Sequence, residues 1–189
     1  MDKHKEAVLK QIAAKLNDHH VLWGVGASLL LYHHRLVDDF HDIDLMVAPK
    51  DALLADELMA SLGRRVAHPP SPIFQTEVFS SFEIDGVDVD MMSGFCILNE
   101  MGLYHYHFDD ASVPDGFFVK GVYVPLTSLE DWYILYLVMP GRQEKARLIR
   151  EYLFIKGLSH PDLLARMLHP QLPHDIEEQG KLLLHGIKK

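Results

Sequence analysis

The spacing of apolar residues changes character along this chain, and each change predicts an element. From Lys3 to Leu16, Ala7, Val8, Ile12 and Leu16 recur at helical spacing and predict an amphipathic helix that packs on a sheet. VLWGV (21–25) reads as a short strand running into the small-residue turn Gly26-Ala27-Ser28, and SLLLYHH (28–34) as a helix leaving it. HDIDLMVA (41–48) has the β-branched, apolar character of a short buried strand, and PKDALLADELMASLG (49–63) predicts a helix stopped by Gly63. The Pro-rich HPPSP at 68–72 is a loop. IFQTEVFSSFEI and GVDVDMM predict a hairpin across Asp85-Gly86, because glycine tolerates the positive φ of a tight turn. LYHYHFD and FFVKGVYVPL read as two further strands, with Pro114-Asp115-Gly116 as the turn between them.

After Pro125 the pattern is helical: TSLEDWYILYLVM behind a Thr/Ser cap, RQEKARLIREYLFIKG, HPDLLARML and PHDIEEQGKLLLHG. The expected fold class is therefore α/β (α+β), a mixed sheet followed by a helical segment, divided into residues 1–125 and 126–189. At 189 residues and 48% hydrophobic, the chain can bury a sizeable core. No apolar run approaches the roughly 20 residues that span a bilayer, and the charged, helical N-terminus does not read as a signal peptide. A cytoplasmic protein is expected.

The chemistry concentrates in the strand at 41–48. Successive strand side chains point to opposite faces, so Asp42 and Asp44 project together. Two carboxylates side by side repel each other unless a cation holds them, which makes the pair a candidate Mg2+ or Mn2+ site. Strand capping by Asp42 is the plainer alternative. Upstream, the strand–turn–helix at Gly26, Ala27 and Ser28 aims backbone N–H groups where a phosphate would sit. Downstream, Asp88 and Asp90 share a face of their own strand, so a third carboxylate is available.

Three motifs in this order resemble the DNA polymerase β-like nucleotidyltransferases, particularly the small bacterial antibiotic- and toxin-type members. The family pattern is a Gly followed by Gly or Ser at a turn, then hDhDh (h, an apolar residue), then a lone acid on a neighbouring strand. Gly26-Ala27-Ser28, Asp42-Ile43-Asp44-Leu45 and Val89-Asp90-Met91 follow it, with Ala27 splitting the usual pair at the turn. The resemblance covers roughly the first half of the chain. It implies a nucleotidyltransferase-like core, with the helical C-terminal piece closing one side of the nucleotide cleft. It also implies Mg2+-dependent transfer of an NMP from an NTP such as ATP. Asp42, Asp44 and Asp90 would be the catalytic, metal-holding acids; Asp88 is the alternative third acid, and Asp90 is preferred because Met91 and Met92 supply the apolar residues that follow it. Gly26, Ala27 and Ser28 would grip the phosphates. Arg142 and Lys145, one turn apart, could contact the triphosphate, although an ordinary solvated helix face is the plainer reading of the same residues.

Composition narrows the partner. A formal charge of −9 argues against an extended nucleic-acid surface, which needs clustered Lys and Arg. The expected acceptor is a small hydroxyl-bearing molecule or a protein side chain; oligomeric state is left open. The single cysteine, Cys96, excludes an internal disulfide and reads as packing. Thirteen histidines lack zinc-site spacing, leaving His33 or His34 as weak substrate-contact candidates. Two rival classes remain: a DxD sugar transferase, whose motif usually follows several nucleotide-binding strands rather than arriving by residue 42, and a catalytically inactive nucleotidyltransferase-like module that binds a nucleotide or a partner.

Overall fold

The computed structural model describes residues 2–186. The N-terminal amphipathic stretch forms α1 (Lys3–Asp18), which lays Val8, Leu9, Ile12 and Leu16 into the core. Its first turn is capped by the Asp2 carboxylate, which accepts from the backbone N–H of His4. Strand β1 (Trp23–Val25) then leads through Gly26 into α2 (Ala27–His33), and β2 (Ile43–Val47) carries the DxD run. A short 3-10 turn precedes α3 (Ala52–Ala60), and the strands β3 (Arg64–Val66), β4 (Val78–Ile84) and β5 (Val87–Ser93) follow.

The Asp85-Gly86 hairpin between β4 and β5 forms as expected, with both residues at positive φ (47° and 75°). The second predicted turn does not form where expected. Asp115 and Gly116 lie inside β8 (Asp115–Val119), and the chain reverses instead at Lys120-Gly121, where φ is 46° and 84°, before β9 (Val122–Leu126). FFVKGVYVPL is thus a hairpin rather than one strand, since a Lys-Gly pair with both residues at positive φ makes the same reversal as Asp-Gly. Only the start of LYHYHFD is extended, as β7 (Gly102–His105), which pairs with β6 (Cys96–Asn99) in a separate two-stranded ribbon. β3 was not foreseen; its three residues are exposed and carry no alternation to read.

The main sheet has the order β3-β4-β5-β2-β1-β9-β8. It is mixed: β2 runs parallel to β5 and β1 parallel to β9, and the other pairs are antiparallel. The helical remainder comprises α4 (Leu129–Val138), α5 (Gln143–Lys156), α6 (Pro161–Met167) and α7 (His174–Gly186). α4 is capped by Ser128 Oγ, which accepts from Asp131 N at 3.0 Å, and nine of its residues are buried. A helix apolar on every side belongs at the centre of a core, and the later helices pack around it. Glu130, buried on α4, accepts from the backbone N–H groups of Ser159 and His160 at 2.8 and 3.0 Å, which fixes the entry to α6. Among the described residues no helix is long and apolar enough to cross a membrane.

Candidate active site

The sheet order explains how residues far apart in sequence meet. β1, β2 and β5 are consecutive neighbours, so the turn after β1, the acids of β2 and the acid of β5 emerge at one edge. In the parallel β2–β5 ladder Asp44 is registered directly against Asp90, and Asp42 lies just before β2. The three carboxylates each place an oxygen within 4.8 Å of the others, and among the described residues they are the one such cluster of possible metal ligands. Asp88 shares the face of Asp90 but precedes the β2–β5 ladder, which begins at Ile43 and Val89, and stands outside the cluster.

The electrostatics are those of an anionic cluster without enough cation. Burial, and then the neighbouring charges of Asp42 and Asp90, push the Asp44 carboxyl up to about 8, while Lys145 and Arg142 pull the other way. Asp90 is also raised, chiefly by burial, against the hydroxyl of Ser81, which donates to its Oδ1 at 2.6 Å, and the nearby imidazole of His68. Three hard oxygen donors within reach of one ion, one of them held protonated at neutral pH by the lack of a counter-charge, suit Mg2+ or Mn2+.

The turn beside the acids is tightly built. Gly26 N donates to the carbonyl of Asp44 at 3.0 Å, tying the turn to β2. A Cβ at Gly26 would lie 2.2 Å from the ring of Trp132, so a side chain there would displace the indole. Trp132 is in turn fixed by its Nε1–H donating to Thr127 Oγ1 at 2.7 Å, and Thr127 Oγ1 donates to Val25 O at 2.8 Å. Ala27 carries φ of 46°, the left-handed region in which an L side chain costs about 1–2 kcal/mol. Ser28, almost fully buried, donates from Oγ to Asp42 Oδ1 at 3.3 Å.

Arg142 and Lys145 lie near enough to the acids for their charges to bear on Asp44. Arg142 caps α5, and Lys145 Nζ lies 5.3 Å from the ring centroid of Tyr136. Burial and Arg142 hold the Lys145 ammonium below its ordinary value, with Asp44 and Asp42 opposing them. By contrast Arg147, on another face, is exposed and pairs with Glu144 and Glu151.

Two residues of the site escaped sequence reasoning. Tyr136 on α4 is buried with its hydroxyl unpartnered, and its hydroxyl is raised by burial and by the charges of Asp44 and Asp42. Nothing in the local pattern distinguishes it from the other aromatics of that helix. His68 opens the Pro-rich loop, stacks on Phe79 at 4.6 Å and draws the Asp90 pKa downward; an isolated histidine in a loop gives no warning of this. The weak candidates His33 and His34 pack on Phe117 and Tyr152. Cys96 is buried and unpaired, as packing alone would have it.

No protein-family profile and no curated protein sequence matches the chain. Solved structures do. A candidate nucleotidyltransferase from Thermotoga maritima superposes with a TM-score of 0.57 at 27% identity, over 78% of this chain and 91% of that one. The antibiotic-resistance factor ANT(2'')-Ia, in complex with adenylyl-2''-tobramycin, gives a TM-score of 0.56 at 15% identity, over 86% and 96% of the two chains. Its solution structure gives 0.55 at 17%, over 81% and 86%. With the turn, the paired acids and the third acid gathered on three neighbouring strands of that fold, the chain belongs to the nucleotidyltransferase superfamily.

Proposed function

We propose that the protein transfers an NMP from an NTP to a small hydroxyl-bearing acceptor or a protein side chain, with Mg2+ or Mn2+ as cofactor. The observation that carries this reading is the meeting of Asp42, Asp44 and Asp90 beside the Gly26 turn, with Arg142 and Lys145 near them. An acceptor bound and adenylylated as tobramycin is in ANT(2'')-Ia fits a chain of net charge −9 better than a nucleic-acid strand does.

Nucleotidyl transfer is an in-line displacement at the α-phosphorus, and it asks the protein for position and charge rather than covalent chemistry. Asp42 and Asp44 would hold the cation that accompanies the triphosphate, and Asp90 with Asp44 would hold a second. Cations bound there would offset phosphate charge and would lower the pKa of an attacking hydroxyl. Asp90, half-buried and already raised, is placed to accept the acceptor's proton. Ser28 and the backbone at Ala27 grip the terminal phosphates, which requires the Ser28 hydroxyl to leave Asp42 for the incoming anion. Arg142 and Lys145 offset the charge of the departing pyrophosphate, and the unpartnered Tyr136 hydroxyl adds a neutral donor to its oxygens.

Calorimetric titration with an NTP, with and without Mg2+, tests the site. Binding should require the cation and vanish in Asp44→Asn. Equal binding by that variant would move the nucleotide elsewhere.

A further inference from the structure

Away from the acids, α5 and α7 both rest on α4 but leave a groove of about 480 Å³ between them. Its floor is Tyr133, buried, with a hydroxyl that has no hydrogen-bond partner. Its walls carry Phe154, Ile155 and Leu182, which are 69%, 78% and 71% exposed. Three large apolar side chains so exposed around one groove, above an unsatisfied hydroxyl, mark a surface that is normally covered.

The charges on the two flanking helices indicate what covers it. Apart from Lys145, which faces the acids, α5 carries Arg147, Arg150 and Lys156 against Glu144 and Glu151, whereas α7 carries three carboxylates against one lysine. The excess on one helix offsets that on the other, in a chain whose overall charge is −9. A two-fold axis through the groove would lay the basic α5 of one copy across the acidic α7 of the other, twice, because an isologous contact repeats itself. The apolar walls of the two copies then meet along the groove and cover it. Arg150, which lines the groove and makes no ion pair among the described residues, would meet an acid such as Glu178, one turn from Leu182 on α7. A generic partner needs no such balance, and a surface of either sign alone would repel its own copy.

We infer that the groove between α5 and α7 is the interface of a symmetric homodimer, with α5 of one copy packed across α7 of the other.

Sedimentation equilibrium of the full chain decides this. The account expects a species of twice the 21.6 kDa chain mass with a dissociation constant below about 10 μM. Leu182→Asp should weaken it about thirtyfold or more. Arg150→Glu and Glu178→Lys should each weaken it, and the double variant Arg150→Glu/Glu178→Lys should recover much of the loss, since the charges are exchanged rather than removed. All three substitutions fall on exposed positions, and unchanged circular dichroism confirms that each variant folds. A chain that stays monomeric at about 100 μM overturns the inference. So does a dimer indifferent to Leu182→Asp, or a monomer whose groove takes up an apolar fluorophore, which would make the groove a small-molecule pocket instead.

Discussion

Each residue at the cleft edge answers to a separate physical demand, and each can be tested alone. Ala27 occupies a left-handed conformation that glycine reaches without steric cost. Ala27→Gly should therefore raise stability, by about 0.5–1 kcal/mol once the greater freedom of glycine in the unfolded chain is offset. Urea denaturation reads this directly, and a lower midpoint would mean that the turn relaxes by another route. Ser28→Ala removes a hydrogen bond to a charged group, worth about 1.5–3 kcal/mol, and should weaken NTP binding about tenfold or more. Unchanged affinity would place the phosphates away from this turn. Asp90→Asn removes the proton acceptor and one metal ligand together, so turnover should fall on the order of a thousandfold, about 4 kcal/mol of barrier. Asp88→Asn, on the same strand face but outside the cluster, should leave turnover within a few-fold of wild type.

At the scale of elements, the most informative group is Asp131 on α4. It receives the Tyr106 hydroxyl at 2.7 Å and lies 3.7 Å from Arg166, yet burial pushes its carboxyl up to about 7. An acid whose folded pKa exceeds its unfolded value of about 3.9 binds more protons folded than unfolded between those two limits. Its contribution to stability therefore declines as pH rises from about 4 to about 7, by an amount on the order of 4 kcal/mol before relaxation. Asp131→Asn, which keeps an acceptor for Tyr106, removes that titration. The stability of Asp131→Asn relative to wild type should climb between pH 4.5 and 7.5, as read by denaturant midpoints at both ends. A pH-independent difference would show that Asp131 ionises freely where it stands.

The elements also show what the sequence could and could not display. The strand at 43–47, the Asp85-Gly86 hairpin and the cap at Ser128 are local patterns, in which residue type and spacing suffice. Lys120-Gly121 was passed over in favour of Pro114-Asp115-Gly116 because proline and glycine advertise a turn more loudly than a lysine at positive φ does. The acids were legible individually, since each sits on an alternating strand. That Asp90 rather than Asp88 completes the cluster depends on the parallel register of β2 on β5, which no stretch of sequence contains. Tyr136 and His68 enter the site only through packing of segments distant in the chain, so they left no local trace.

Across the whole molecule, a strained turn, three repelling acids and a half-buried lysine gather at one edge of an otherwise well-packed sheet. Such features persist where the surrounding structure over-determines them, and they cluster at sites that bind or react. The central claim is that this edge transfers a nucleotide. The direct measurement incubates the protein with Mg2+ and each NTP labelled at either the α- or the γ-phosphate, in the presence of cell extract, and follows where the label goes. Label from the α-phosphate should become attached to a small molecule or a protein, label from the γ-phosphate should leave as pyrophosphate, and Asp44→Asn should do neither. Attachment of the γ-label would make the protein a phosphoryl transferase, and attachment of neither from any NTP, with or without extract, would contradict the account outright.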